Sequence, residues 1–576
     1  LIDDIDYSGQ GGIATTFDVD QIEVYRGPQG SRIGANALAG LIYIQTKNPT
    51  DTFEGTSEVT IGSYGTKSAG VAFGGPLDQN PDITYRIALR QDKADGFRKN
   101  LYLKRSDTSR KDESTGRLKV NWQLTENTKI KFLISQVDLN DPADIWTIDG
   151  SLNTLSDRPG MDSQKTNSYG MKVFHSFNGF ELQSYTSSTD TDVIFSYDAD
   201  WGNTDSHSPY VYDYFSETLR ERQSFNQEFR AVSDSADFQK NIFFEWVIGA
   251  NYLELKESNL KKDDGLYGDP SDPYGPYASA SASSSKYKSS NFSVFGNLDY
   301  LLSASLKFSI GLRWEDWEAD YSDSLQESFN PTDKMSGGKI SLIKNMTNDT
   351  NMYASLARGY KQGGFNLGLG LDANSRNKNL AYDPEFLTNY ELGINTKLLD
   401  SRVTFNGVLF YSDREDQQVL ISTQTDPSDP NTFSFLTQNA AEGVNHGLEI
   451  NMDMDINESL SAFVNLGILK TEIKNWQSRQ DLEGRAQAHA PERSYALGLN
   501  WAPTSHTYLA IDFTGKSSFY YSDSHNNKSK SYVLTNLNLG YVKNNWNYEL
   551  WARNIFDEYY SVRGFYFGNE APNFID

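Results

Sequence analysis

Residues 358–362 hold the side chains best suited to binding chemistry, because two cations, a phenol and an amide follow one another closely. Arg358, Tyr360, Lys361 and Gln362 stand where an alternation of apolar and polar residues ends and a long polar segment begins. Cationic and hydrogen-bonding groups at the mouth of such a segment can bind an anion. We therefore predict that these four residues contact an anionic chelate.

A second group of candidates lies in the polar segment 189–223, which is rich in aromatic residues although a long polar loop has no core to bury them. We predict that Trp201, Tyr210 and Tyr212 stack on a ligand. Packing of this loop over its neighbours is the alternative. The rings of the first segment are Phe195, Tyr197, Trp201, Tyr210, Tyr212, Tyr214 and Phe215, and a second cluster with the same two interpretations is Tyr267, Tyr274, Tyr277 and Tyr287.

Other site chemistry has little support. Asp198, Asp200 and Asp205 around Gly202 resemble a calcium loop without its terminal glutamate, and a solvated acidic loop is the simpler interpretation. No nucleophile elbow, phosphate-binding glycine loop or zinc-protease motif is present, so we predict neither catalysis nor a metal or cofactor site. The six histidines are scattered singly, at His175, His207, His446, His489, His506 and His525.

Composition favours a β-barrel in a membrane. Hydrophobic residues are only 37% of the 576, yet 13% of all residues are aromatic. A barrel wall needs apolar side chains on its lipid face alone, with aromatic girdles at the interfaces. No apolar run approaches the ~18 residues of a spanning helix. The net charge of -25 argues against nucleic acid, and the absence of cysteine excludes disulfides and thiolate chemistry.

Period-2 alternation over about 55–553 predicts the strands of this wall. In 306–314, one face carries Leu, Phe, Ile, Leu and Trp, and the other carries Lys, Ser, Gly and Arg. Strands pair into hairpins with short turns at one end and long polar loops at the other. We predict loops at 189–223 and 256–290, with the serine-rich 279–290 flexible. Counting gives about 21 strands, and because bacterial barrels have even counts we predict a 22-stranded antiparallel barrel whose last strand is missing.

The segment before the barrel resembles a known family. Residues 20–31 (DQIEVYRGPQGS), 34–40 (GANALAG) and 41–47 (LIYIQTK) strongly resemble the closing part of the plug in TonB-dependent outer-membrane receptors. The resemblance implies that residues 1–50 are the C-terminal part of a plug domain and that residues 51–576 form the transmembrane barrel, without its last strand. It also implies that Glu23 and Arg26 contact the barrel wall and so join the plug to it. The alternative is that these two residues form an ordinary local ion pair.

Barrel motifs resemble the ferric-siderophore branch of that family, at 353–366, 383–393, 439–449, 490–493 and 554–560. The resemblance implies active uptake of a ferric siderophore across the bacterial outer membrane, with the plug rearranged by the TonB energy-transducing complex. It also implies contact of the outer surface with lipid and lipopolysaccharide, including at the aromatic loops. Uptake of cobalamin, haem or an oligosaccharide by the same mechanism, a passive porin-like channel, and a secreted glycan-binding β-protein are the alternatives.

Two departures from the family pattern concern the ends of the chain. We expect that the start of the plug, with the segment that engages the TonB complex, precedes Leu1, and that a final strand follows Asp576.

Overall fold

The structure is a computed structural model that describes residues 1–564 apart from 36, 79, 148, 236–242, 367–379, 425–432, 477–478 and 524. Asn36 of the N-terminal motif, the side chains of Ala440 and Ala441, and 565–576 of the predicted barrel domain lie outside the described residues. Within the described residues, no helix has the length and hydropathy to cross a bilayer.

The described residues are almost entirely β-structure, and the helical element among them is a three-residue 3-10 helix at Gln480–Leu482. In chain order its strands are β1 (Val19–Arg26), β2 (Gly40–Thr46), β3 (Glu54–Ile61), β4 (Lys67–Leu77), β5 (Asn80–Ala94), β6 (Lys99–Asn100), β7 (Lys111–Thr125), β8 (Thr128–Pro142), β9 (Asn153–Thr154), β10 (Met161–Ser176), β11 (Phe180–Asp198), β12 (Val211–Ser233), β13 (Phe244–Gly268), β14 (Tyr277–Ser303), β15 (Leu306–Asp323), β16 (Ser328–Phe329), β17 (Thr332–Asn345), β18 (Thr350–Lys361), β19 (Gly364–Phe365), β20 (Ala381–Tyr382), β21 (Glu385–Leu398), β22 (Val403–Gln424), β23 (Phe433–Asn457), β24 (Leu460–Asn475), β25 (Arg493–Thr504), β26 (Thr507–Lys516), β27 (Tyr532–Lys543) and β28 (Trp546–Ala552).

The long strands form one closed barrel in which each neighbour in sequence is a neighbour in space. The ring runs from β3 through β4, β5, β7, β8 and β10 to β18, then from β21 to β28, and returns to β3. The ladders are antiparallel and mostly unbroken, as in β10 and β11, where Asp162 lies opposite Phe195 and Ser176 opposite Glu181. Two-residue β16 pairs with the end of β15, so the part of the wall that the structure describes has 21 long strands. This confirms the predicted all-β barrel and its strand count.

In the barrel wall, apolar side chains are exposed and charged side chains are buried, which is the reverse of a soluble protein. On β15, Leu312 and Trp314 are 60% and 39% exposed, whereas Arg313 and Glu315 are 6% and 1% exposed. Apolar side chains therefore point away from the protein, as they do where lipid surrounds a barrel, and polar ones point into the lumen.

Two loops are shorter than we predicted, because the strands on either side extend into them. Within 189–223, β11 continues to Asp198 and β12 begins at Val211. Within 256–290, β13 continues to Gly268 and β14 begins at Tyr277, so the serine-rich 279–290 is a strand. The physical reason is that sheet extending beyond a bilayer meets water on both faces. Such a strand keeps its backbone ladder but loses the apolar alternation by which the sequence is recognised.

Short turns at one end of the barrel and longer connections at the other give the barrel its orientation. Residues 126–127, 177–179 and 304–305 join strand pairs at one end, whereas 143–160 and 199–210 join strands at the other. In outer-membrane barrels the short turns are periplasmic and the longer loops are extracellular.

Residues 1–50, called here the N-terminal segment, lie inside the lumen. Its strands β1 and β2 form an antiparallel hairpin. Asp18 pairs with Arg86 of β5, and the backbone carbonyl of Ser8 accepts a hydrogen bond from Arg222 of β12 at 2.9 Å. On another side of the ring, Arg26 pairs with Glu449 of β23. A segment that contacts such widely separated strands of a closed wall must lie within it.

Candidate functional site

The four residues predicted from 358–362 do not converge on one point. Arg358 lies on the outward face of β18, exposed, with its guanidinium carbon 4.8 Å from the ring centroid of Phe386. Lys361, the last residue of β18, is also exposed. Tyr360 is fully buried, and its hydroxyl donates to the carboxylate of Glu315 at 3.0 Å.

Tyr360 and Gln362 instead belong to a buried hydrogen-bond network that we did not predict. Glu315 accepts from the Tyr360 hydroxyl, from the Asn291 amide at 2.7 Å and from Arg313 Nε at 3.2 Å. The same Asn291 amide also donates to the side-chain oxygen of Gln362 at 3.2 Å. These groups join β14, β15 and β18, so the network fixes the inner face of the wall at this height.

The network contacts the N-terminal segment through a glycine. A Cβ on Gly34 would lie 2.7 Å from Arg313 Nε and 2.7 Å from the carboxylate of Glu315, and Gly34 has φ +89°. Only glycine combines this backbone conformation with such an approach. Gly34 was recognisable in the 34–40 motif, but its partners on β15 were not.

The aromatic residues predicted in 189–223 pack mostly on one another. Tyr212 is 8% exposed, and its ring centroid lies 4.8 Å from that of Tyr214 and 5.5 Å from that of His207. Tyr267 of the second ring cluster joins it at 6.4 Å. Tyr210 and Trp201 are partly exposed, Trp201 with φ +61°. Of the predicted ligand rings, Tyr210 and Trp201 thus remain accessible at the extracellular end, whereas Tyr212 is buried among neighbouring rings.

The prediction of a solvated acidic loop is wrong for two of its three aspartates. Asp198 and Asp200 are 4% and 2% exposed, and Asp205 is exposed. The Asp200 carboxylate accepts backbone hydrogen bonds from Gly202 at 3.0 Å and Tyr214 at 2.7 Å, and burial raises the pKa of this carboxyl. Across the described part of the chain, no group of three histidine, aspartate or glutamate side chains could hold a metal ion. The carboxylate of Asp200 therefore organises the loop backbone.

The two residues predicted to join plug and wall behave differently. Arg26 pairs with Glu449 and also reaches the side-chain oxygen of Asn451 at 3.4 Å, both on β23. The carboxylate of Glu23 accepts from the hydroxyl of Tyr25, two residues away on β1. The Arg26 contact crosses from the N-terminal segment to the wall, and the Glu23 contact is local.

More deeply buried ion pairs also join the N-terminal segment to the wall, and these were not predicted. Asp18 pairs with Arg86 at 2.5 Å, with side chains 1% and 3% exposed, and Arg117 lies 3.7 Å from the same carboxylate. Asp3 pairs with Lys119 at 2.8 Å. The sequence signal was a set of cations at inward positions of β5 and β7, but nothing local shows which acids they meet.

Comparison with known proteins agrees with this architecture. Residues 133–555, well over half of the chain, match the family described as TonB dependent receptor-like, beta-barrel. The chain is 22% identical to the pesticin receptor of Yersinia pestis over 598 aligned positions, covering 99% of this chain and 81% of that protein.

Solved structures share the fold. The ferric yersiniabactin uptake receptor FyuA from Yersinia pestis superposes with a TM-score of 0.78 at 18% identity, covering 95% of this chain and 82% of that one. The siderophore receptor PiuA from Acinetobacter baumannii gives 0.74 at 16% identity, with 95% and 83% covered. These are transport receptors rather than enzymes, and the predicted resemblance is confirmed: the chain is an outer-membrane β-barrel protein that belongs to the TonB-dependent receptor family.

Proposed function

We propose that the chain takes up a ferric siderophore across the outer membrane, with residues 1–50 acting as the plug and 51–576 as the barrel. The observation that carries the proposal is the filled lumen. A segment tied to β5, β7 and β23 by ion pairs, two of them buried, obstructs the path, so passage needs work on that segment. The outer membrane has no nucleotide energy source of its own, and the family name supplies the partner, TonB.

The ligand class is inferred from two supports. FyuA and PiuA, which share the fold, are named as a ferric yersiniabactin receptor and a siderophore receptor. At the extracellular end, Tyr210, Trp201 and Lys361 are accessible, and aromatic rings and a cation at one end of the lumen suit an aromatic or anionic chelate. We propose that these residues capture the ligand. Of the candidates predicted from the sequence, Arg358 faces outward and Tyr360 is buried, so we do not include them.

The proposal is tested by uptake into cells that produce the full-length protein and lack their own siderophore receptors. Radiolabelled iron is supplied as catecholate, hydroxamate and phenolate complexes, with radiolabelled cobalamin and haem in parallel. We expect one ferric complex to accumulate, and accumulation to stop in an otherwise identical strain without TonB. Accumulation of cobalamin or haem alone would assign another ligand, and accumulation that persists without TonB would indicate a passive channel.

A matched pair of variants tests the capture residues. Trp201→Ala removes an accessible ring from the extracellular loop, and Trp546→Ala removes a ring that is 65% exposed beside the periplasmic turn 544–545. We expect the first to weaken binding of the transported complex at least tenfold, and the second to leave binding unchanged. Equal effects would exclude the extracellular ring site.

A further inference from the structure

A cavity of about 220 Å³ lies between the N-terminal segment and the wall at β7, β8, β10 and β11. Asp3, Asp4, Tyr43, Lys119, Lys131 and Lys172 are among its lining residues. Turns 126–127 and 177–179 lie just below these strands, so the cavity is in the periplasmic half of the lumen. It is thus remote from the extracellular rings proposed to capture the ligand.

The wall of this cavity concentrates positive charge. Lys131 of β8 lies directly opposite Lys172 of β10. On the other side of β8, Lys119 of β7 lies opposite Leu133, two residues along from Lys131. Like charges opposite one another on neighbouring strands destabilise a sheet. The wall at this cavity is therefore a basic patch in a chain of net charge -25, and such a patch needs anions to neutralise it.

The N-terminal segment supplies two of those anions. Asp3 accepts from Lys119 Nζ at 2.8 Å, and Asp4 pairs with Lys172. Asp3 and Asp4 have φ of +50° and +71°, a left-handed conformation that only a few residue types tolerate. This local conformation directs two successive carboxylates to two lysines of the wall.

The third lysine, Lys131, forms an ion pair with neither aspartate. Its ammonium lies 5.3 Å from the ring centroid of Phe174, and no carboxylate of the described residues forms an ion pair with it. Three lysines thus share two carboxylates, and both carboxylates belong to a segment that must move for anything to pass.

We propose that Lys119, Lys131 and Lys172 form an anion-binding station in the periplasmic half of the lumen, which Asp3 and Asp4 occupy at rest and vacate when the N-terminal segment moves. The ligand class is a compact polyanion that presents several carboxylates or similar oxygens. The inference rests on the transport function proposed above, because only displacement of the segment uncovers all three lysines. A ligand released from the extracellular site would then find a second station before it leaves.

The test measures binding of citrate, a tricarboxylate, to the purified chain in detergent by isothermal titration calorimetry at low ionic strength. D3N/D4N removes both resident charges while it keeps the side-chain shapes, and we expect citrate to bind this variant at least tenfold more tightly than wild type. Adding Lys131→Gln to the double variant should weaken binding at least fivefold. Lys131 has no ion pair to lose, so this change leaves the packing of the segment intact.

Asp299→Asn is the matched control, because it frees another lysine of the wall, Lys307, from a 3.0 Å ion pair far from the cavity. We expect wild-type citrate affinity for this control. The proposed anion-binding station would be contradicted if D3N/D4N bound citrate no more tightly than wild type, or if Asp299→Asn tightened citrate binding equally. It would also be contradicted if Lys131→Gln did not weaken citrate binding. The measurement needs neither iron nor TonB, so a negative result beside normal siderophore uptake rejects the station alone. Citrate binding as expected without siderophore uptake rejects the proposed function.

Discussion

At the scale of single residues, the wall and the segment inside it are joined by ion pairs of very different burial. Asp18 and Arg86 are almost fully buried, whereas the side chains of Arg26 and Glu449 are 52% and 31% exposed. Breaking a buried pair leaves a charge without compensation, but an exposed pair is screened by water. The two contacts therefore differ in how firmly they hold the segment.

Asp18→Asn should weaken docking of the N-terminal segment by about 3 to 5 kcal/mol, because Arg117 loses its buried counter-charge and Arg86 keeps only the half-exposed Glu54, at 2.8 Å. The measurement is amide hydrogen exchange of residues 17–26 across a urea series. Glu449→Gln is the control, and we expect it to cost below about 1 kcal/mol. Equal losses in the two variants would show that burial of the Asp18 pair does not hold the segment.

Gly34→Ala tests the contact between the segment and the Glu315 network. The added methyl group meets Arg313 and Glu315 at 2.7 Å, and the positive φ strains any side chain, so we expect a loss of about 1 to 3 kcal/mol. Amide hydrogen exchange of residues 27–35 measures this loss of stability. Gly11→Ala is the control, because a Cβ there meets nothing within 4 Å, and it should leave this exchange unchanged. Unchanged exchange in Gly34→Ala would contradict the close packing of Gly34 against Arg313 and Glu315.

Tyr7 carries a pH dependence within the segment. Its hydroxyl donates to Ser168 of β10 at 2.8 Å, and burial raises the pKa of Tyr7 to about 12. An unfolded tyrosine has a pKa of about 10, so the stabilisation is fully present below pH ~10 and is lost as pH rises towards 12. Subtracting the tyrosinate absorbance titration of Tyr7→Phe from that of wild type should give a midpoint of about 12. A midpoint near the unfolded value would show that Tyr7 is not buried.

At the scale of elements, alternation predicted the strands only where lipid covers one face. β15 was recognisable from 306–314, because Leu312 and Trp314 face outward and Arg313 faces inward. The continuation of β14 through 279–290 was not recognisable, because a sheet beyond the bilayer has water on both faces. Likewise the Asp3 and Lys119 pair, 116 residues apart, depends on the register of the whole ring, which no local pattern contains.

Leu312→Lys tests the membrane-facing role of β15. Leu312 is six residues above the periplasmic start of the strand and 60% exposed, and lysine near the bilayer midplane costs about 2 to 4 kcal/mol. The urea midpoint of folding in lipid vesicles measures this loss. Leu325→Lys is the control, since Leu325 is 45% exposed but lies in the extracellular turn after β15. Equal shifts would place Leu312 outside the bilayer.

At the scale of the whole molecule, the chain is a wide barrel whose lumen is obstructed by its own N-terminal segment. Contacts from that segment reach β5, β7, β10, β12 and β23, which places it across the lumen rather than against one side. Family membership explains why such an obstruction is kept, because members of this family couple transport to an energy-transducing partner. The same arrangement distinguishes the chain from a porin of similar composition.

The most direct test of this claim is steady conductance in planar lipid bilayers. The 576-residue chain should insert without opening a steady channel, and a variant lacking residues 1–46 should conduct as a wide, water-filled pore. Circular dichroism of the variant would verify that the barrel still folds. Steady conductance of the intact chain, or a folded variant that stays closed, would contradict the account.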